Sequence, residues 1–155
     1  MNVPEYLVWI DCEMTGLDPE KDCLVEISVV ITNSDLELVD EGIDLVIHAT
    51  EGQLAAMDDF VREMHTKSGL IEEIPHGIEM AEAEKLIIAY LESAGVAPGK
   101  SPLAGNSVGV DRSFISRDMK VLSEYLHYRT IDVSTIKELV RRWHPKTYFA
   151  APAKT

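Results

Sequence analysis

Tyr6-Leu7-Val8-Trp9-Ile10-Asp11-Cys12-Glu13-Met14, followed at once by Thr15-Gly16-Leu17-Asp18-Pro19, is the stretch that decides the fold. Its first nine residues read as a strand apolar enough to be buried on both faces, and the glycine and proline behind them mark a turn. Asp11 and Glu13 interrupt that run. Residues two apart in a strand point to the same face, so both carboxylates project side by side. Repulsion and lost hydration make such a pair costly unless a cation compensates. A place at the solvent-exposed end of the strand would also render it harmless.

Outward from this strand, residues 23–32 form a second β-branched run, Asn33-Ser34-Asp35 signals a turn, and residues 36–48 form a third run. Short links predict an antiparallel meander rather than helical crossovers. The pattern then turns helical over residues 53–64 and 79–94. In the second of these Met80, Ala83, Ile87, Leu91 and Ala94 share one stripe, with Gly95 at the C′ position. Residues 100–106 read as a short strand ending in a loop. Residues 111–126 read as a helix carrying Phe114, Ile115, Met119, Leu122 and Tyr125, and residues 128–133 as a strand. The last helix, 134–143, has Thr135 and Glu138 at capping-box spacing and Arg141 and Arg142 near its end. This order predicts an α/β fold of the ribonuclease H-like kind: a mixed five-stranded sheet, three antiparallel then two parallel strands, the first strand in the middle and helices on the faces. No repeat or linker divides residues 1–155, which read as a single domain.

The chain has 155 residues, 14 Lys+Arg against 27 Asp+Glu, and a net charge of −13. Its 46% hydrophobic and 26% charged fractions exclude a disordered or collagen-like chain. Apolar runs such as Leu86–Leu91 are far too short to span a bilayer, and the first residues carry no basic segment of a secretory signal. Cys12 and Cys23 do not make a disulfide framework, so a reducing cytoplasm is expected. A charge of −13 repels a long polyanion. The protein therefore either avoids nucleic acid or meets short pieces of it where bound cations reverse the field.

Asp111 follows the loop Gly105-Asn106-Ser107-Val108-Gly109-Val110 and opens a helix. An aspartate there is commonly a cap. If it instead converges with Asp11 and Glu13, three oxygen donors select a hard cation, Mg²⁺ or Mn²⁺, rather than zinc. Carboxylate clusters holding two metals about 3.5–4 Å apart hydrolyse phosphodiesters.

Trp9-Ile10-Asp11-Cys12-Glu13-Met14-Thr15-Gly16-Leu17-Asp18 resembles the first exonuclease motif of the oligoribonucleases of the DEDD superfamily, and the segment from Gly105 to Arg112 resembles the second. The segment from His127 to Leu139 is similar to a further stretch of these enzymes, and the likeness runs from about Tyr6 to about Trp143. The resemblance implies 3′→5′ removal of nucleotides from very short RNA, dinucleotides included, with two Mg²⁺ or Mn²⁺ ions. It implies metal ligation by Asp11, Glu13 and Asp111, an apolar wedge at Leu17, base stacking by Phe60 where many relatives carry Trp, and a substrate contact by His65. Ser107, Arg129 and Ser134 match the group that caps a 5′ phosphate. Tyr128 matches an active-site tyrosine that reaches the neighbouring subunit, which implies a homodimer. Without the resemblance, Leu17 and Phe60 read equally as packing residues, and Arg129 as the partner of a nearby carboxylate.

The family's third motif, a His and an Asp on a C-terminal helix, has no match: after Trp143-His144-Pro145 the chain reads as a loop. His144, ahead of Pro145 at a helix end, is a poor substitute for the general base. The chain is therefore expected to be the N-terminal part of a longer enzyme, with little nuclease activity alone. Three other functions are weighed beside the exoribonuclease. A proofreading-type DNA exonuclease is disfavoured by the stretch around Arg129; a non-catalytic dinucleotide-binding module and a plain structural domain are the others.

Overall fold

The structure is a computed structural model and describes residues 5–153; the first residues, on which the absence of a signal segment was read, lie partly outside that range. Strands β1 (Leu7–Met14), β2 (Leu24–Thr32), β3 (Ile43–Val46), β4 (Pro102–Gly105) and β5 (His127–Asp132) form one sheet in the order β3-β2-β1-β4-β5. β1 pairs antiparallel with β2, and β2 with β3, while β1, β4 and β5 run parallel. The expected mixed sheet with β1 at its centre is thus what forms.

β1 departs from its expected burial on both faces. Val8, Ile10, Cys12 and Met14 are buried, whereas Leu7, Trp9 and Glu13 are half-buried and Asp11 is exposed. The even-numbered side chains share the main core with Ala83, Ile87 and Leu91 of α4 (Met80–Ser93), Phe114 and Ile115 of α5 (Gly109–Asp118), and Leu122 of α6 (Lys120–Tyr125). The odd-numbered face stays partly open, and the acids lie on it.

Helix α4 ends as expected. Gly95 takes φ +81°, its N–H donates to the Glu92 carbonyl at 3.1 Å, and the Val96 N–H donates to Leu91 at 3.0 Å. Only a residue tolerant of the left-handed region closes this double bond cheaply.

Four expected boundaries are corrected. The third strand begins at Ile43 rather than 36, because Asn33 Oδ1 accepts from the Asp35 and Glu37 N–H groups and Gly42 turns at φ +76°. The helix expected over 53–64 is two, α1 (Glu51–Ala55) and α2 (Asp59–Ser68), since Thr50 and Asp58 each cap a separate start. A short α3 (Leu70–Glu73) follows. The helix expected over 111–126 breaks at Met119, whose φ −130° and ψ 65° are not helical. That break lets Phe114, Met119 and Leu122 all reach the core. Finally, α7 (Val133–Trp143) is followed by a short helix α8 (Pro145–Phe149), not a loop; Pro145 sits at its first turn, where its missing N–H costs nothing. The capping box at Thr135 and Glu138 does not form either. Asp132 caps α7 instead, and Glu138 turns to Arg141 and Arg142.

Candidate active site

β1, β4 and β5 run in one direction and end along one edge of the sheet, the edge where open α/β sheets place their ligands. Asp11 and Glu13 project near the end of β1, Ser107 follows β4, and Ser134 follows β5.

Asp111 is buried, 7% exposed, in the first turn of α5. It does not cap its helix. Its Oδ1 accepts the Cys12 N–H at 2.8 Å. Beyond Trp9 β1 has no partner on β4, and Asp111 takes up a strand N–H that would otherwise be orphaned. Because Cys12 lies between Asp11 and Glu13, this bond brings the third acid to the first two.

The electrostatics record the convergence. Burial pushes the Glu13 carboxyl up; His65 opposes this, and Asp11 and Asp111 add to it. Burial likewise raises Asp111, against the Cys12 N–H and with the charge of Asp11. Burial, followed by the charge of Asp111, drives the Cys12 thiol well above its ordinary range, so it is no nucleophile. Clustered carboxylates of this kind suit a divalent cation in donor chemistry: all donors are oxygen, and a cation offsets the burial and the lesser mutual repulsion that raise them. As the side chains stand, no group of three His, Cys, Asp or Glu among the described residues is arranged to hold a metal ion.

A cavity of about 410 Å³ runs along this edge, lined by Trp9, Asp11 and Ser28 at one side and by Asn106 and Val133 at the other. It therefore reaches from Asp11 to the residues adjoining Ser107 and Ser134. Ser107 is exposed at φ +53° and its N–H donates to Asp132 Oδ1 at 2.8 Å. Ser134 donates to the same oxygen through its N–H at 2.9 Å and its hydroxyl at 2.6 Å. Arg129 is exposed and forms no ion pair among the described residues; its guanidinium lies 5.6 Å from the Tyr128 ring. Tyr128 is 76% exposed and stacks on His127.

Leu17, 71% exposed, rides a braced loop. Asp22 accepts from the Thr15 hydroxyl at 3.0 Å and the Asp18 N–H at 2.9 Å, and Arg117 of α5 bonds the Pro19 carbonyl. A Cβ at Gly16 would stand 2.4 Å from the Asp22 carboxylate. Phe60 is 76% exposed on α2, and a cavity of about 260 Å³ lined by Leu17 and Asp58 separates that helix from the loop. Neither Leu17 nor Phe60 packs into the core of this chain. His65 is different: 1% exposed, it hydrogen-bonds the Met14 carbonyl at 2.7 Å. A carbonyl only accepts, so Nε2 carries the proton. The ring braces the end of β1 from below.

The RNase T exonuclease family model matches residues 8–155. An oligoribonuclease of Streptomyces griseus is 51% identical over 150 residues, which cover 97% of this chain and 75% of that protein. An oligoribonuclease of Mycobacterium avium is 52% identical over 151 residues, 97% of this chain and 70% of its relative. The chain belongs to the oligoribonuclease family of exonucleases. An E. coli exonuclease I structure in complex with a dT13 oligonucleotide superposes with a TM-score of 0.69 at 14% identity, over 92% of this chain and 31% of that one. This likeness concerns the fold alone.

The sequence reading missed Asp22, Arg117 and Asp132, which brace the segments that carry the candidate site residues. Asp132 alone left a legible trace: an aspartate two residues before a serine, between a strand and a helix, is an N-cap signature.

Proposed function

We propose that the chain is a 3′→5′ exoribonuclease that shortens very short RNA, dinucleotides included, to mononucleotides. The observation that carries this reading is the single cavity joining Asp11 to the Asn106 loop and the start of α7. Asp11 and the segments that carry Ser107 and Ser134 thus border one space. Asp11, Glu13 and Asp111 would hold two divalent ions, Mg²⁺ or Mn²⁺. Such ions, when bound, acidify the attacking water and steady the leaving oxygen. Ser107, Ser134 and Arg129 receive the terminal 5′ phosphate, Arg129 through its fork of donors. Leu17 and Phe60 take base faces, which tolerates any sequence. His65 fixes the strand end that carries Glu13. With its ring committed to Met14, it does not take the water's proton.

The reading extends to a homodimer in the cytoplasm. β5 is an edge strand whose Tyr128 is exposed, and Ile136 and Trp143 of α7 and Phe149 of α8 are exposed as well. The two thiols are unpaired, and among the described residues no helix is long and apolar enough to cross a membrane.

A comparison of two-residue RNA, two-residue DNA and a long RNA strand tests the proposal. Metal-dependent binding of the RNA dinucleotide should exceed that of the other two at least tenfold. Equal affinity for the long strand contradicts it. Tight metal-dependent dinucleotide binding with no cleavage would mark a binding module instead.

A further inference from the structure

Asp132 is a carboxylate among groups read as anion-binding, and its bonds explain why it is there. One oxygen, Oδ1, gathers three donors: Ser107 N–H at 2.8 Å, Ser134 N–H at 2.9 Å and Ser134 Oγ–H at 2.6 Å. Two separate segments, the loop after β4 and the first turn of α7, thus meet on one atom. β4 and β5 put it there, since Gly105 and Asp132 are register partners across the strand pair.

The need is real at Ser107. A non-glycine residue at φ +53° is strained and persists only where its surroundings hold it. The bond from its N–H to Asp132 supplies that hold while its hydroxyl remains on the exposed side. The Ser134 hydroxyl bond, aided by the Ser134 and Ser107 N–H groups, keeps the Asp132 carboxyl below its usual range. Asp132 is therefore charged at neutral pH. An ionised carboxylate repels a phosphate dianion, so it does not itself take the ligand.

We propose that Asp132 is a positioning residue that locks Ser107 and Ser134 into one anion-binding arc and thereby sets the preference for a terminal 5′ phosphate. This rests on the reading of Ser107, Arg129 and Ser134 as the phosphate group's partners. Ser134 has one hydroxyl proton, now given to Asp132; an arriving phosphate draws it by rotation about the serine side chain, while both backbone N–H bonds keep the arc in place. The strand–loop–helix junction is thus held by its N–H groups and reads the ligand by its hydroxyls.

The test is the ratio of two dissociation constants, for a 5′-phosphorylated and a 5′-hydroxyl RNA dinucleotide, measured with Mn²⁺ on the 155-residue chain. The wild type should favour the phosphorylated form. Asp132→Ala should lower that ratio about tenfold, equivalent to about 1.4 kcal/mol, with little change for the 5′-hydroxyl form. Asp132→Asn keeps an acceptor oxygen and should restore part of the ratio; it also carries the test if the alanine variant does not fold. An unchanged ratio in a folded variant overturns the proposal. So does tighter phosphate binding in both variants, which would make Asp132 only a repelling charge. A wild type indifferent to the 5′ phosphate overturns the underlying reading of the serines, a different outcome from either.

Discussion

Glu26 shows at the scale of one residue what the open face of the sheet costs. It is the register partner of Glu13 across β1 and β2. Burial, then hydrogen bonding and charge from Asp44, then the charges of Glu13 and Glu73, push its carboxyl from 4.5 up to about 7. A carboxyl with a raised folded-state pKa favours the folded state at low pH. That contribution is lost as pH rises from about 4.5 through about 7. Metal-free protein should therefore melt lower at pH 8 than at pH 5.5. Glu26→Gln should raise the melting temperature at pH 8 by a few degrees and leave it nearly unchanged at pH 5. A gain of equal size at both pH values would mean that the charge of Glu26 is not the cause. Gly105 is a second such residue: a Cβ there would lie 2.8 Å from Val108 Cγ2 and 3.0 Å from the Ile10 carbonyl. Gly105→Ala should cost about 1–3 kcal/mol in denaturant unfolding, because β1 and the loop after β4 must part. The Asp11–Glu13 pair was legible in the sequence because strand periodicity is strict. The bond from Cys12 to Asp111 was not, since it spans 99 positions and depends on where β4 stops pairing.

At the scale of elements, the loop after β1 is held by α5 and by its own carboxylate. Arg117 bonds the Pro19 carbonyl and pairs with Asp118, while Asp22 binds Thr15 and Asp18. Arg117→Ala should leave the global melting temperature within a few degrees. It should speed hydrogen exchange across residues 16–22 and weaken dinucleotide binding severalfold; unchanged exchange there would show the loop to be held by Asp22 alone. The strands and α4 follow directly from apolar pattern and from Gly95. The break at Met119 does not, because no proline or glycine announces it and only packing against the core decides it. The two starts at Thr50 and Asp58 carry visible cap residues, yet a continuous apolar spacing across them reads as one helix. His65 shows the same limit: its helix is plain, but its burial under Met14 is a tertiary fact.

For the whole molecule, a net charge of −13 repels long polyanions from the surface at large. Tyr128, Ile136 and Trp143 on the β5–α7 side give that surface an apolar exception. Sedimentation should show a concentration-dependent dimer that Tyr128→Ala or Trp143→Ala weakens. A monomer at all concentrations would remove the dimer from the account. The central claim is that Asp11, Glu13 and Asp111 jointly hold divalent cations, and Mn²⁺ titration calorimetry on the wild type and Asp11→Ala reads it most directly. Saturable uptake in the wild type that is lost in the variant is the expected result; no uptake, or equal uptake by a folded Asp11→Ala protein, would contradict it.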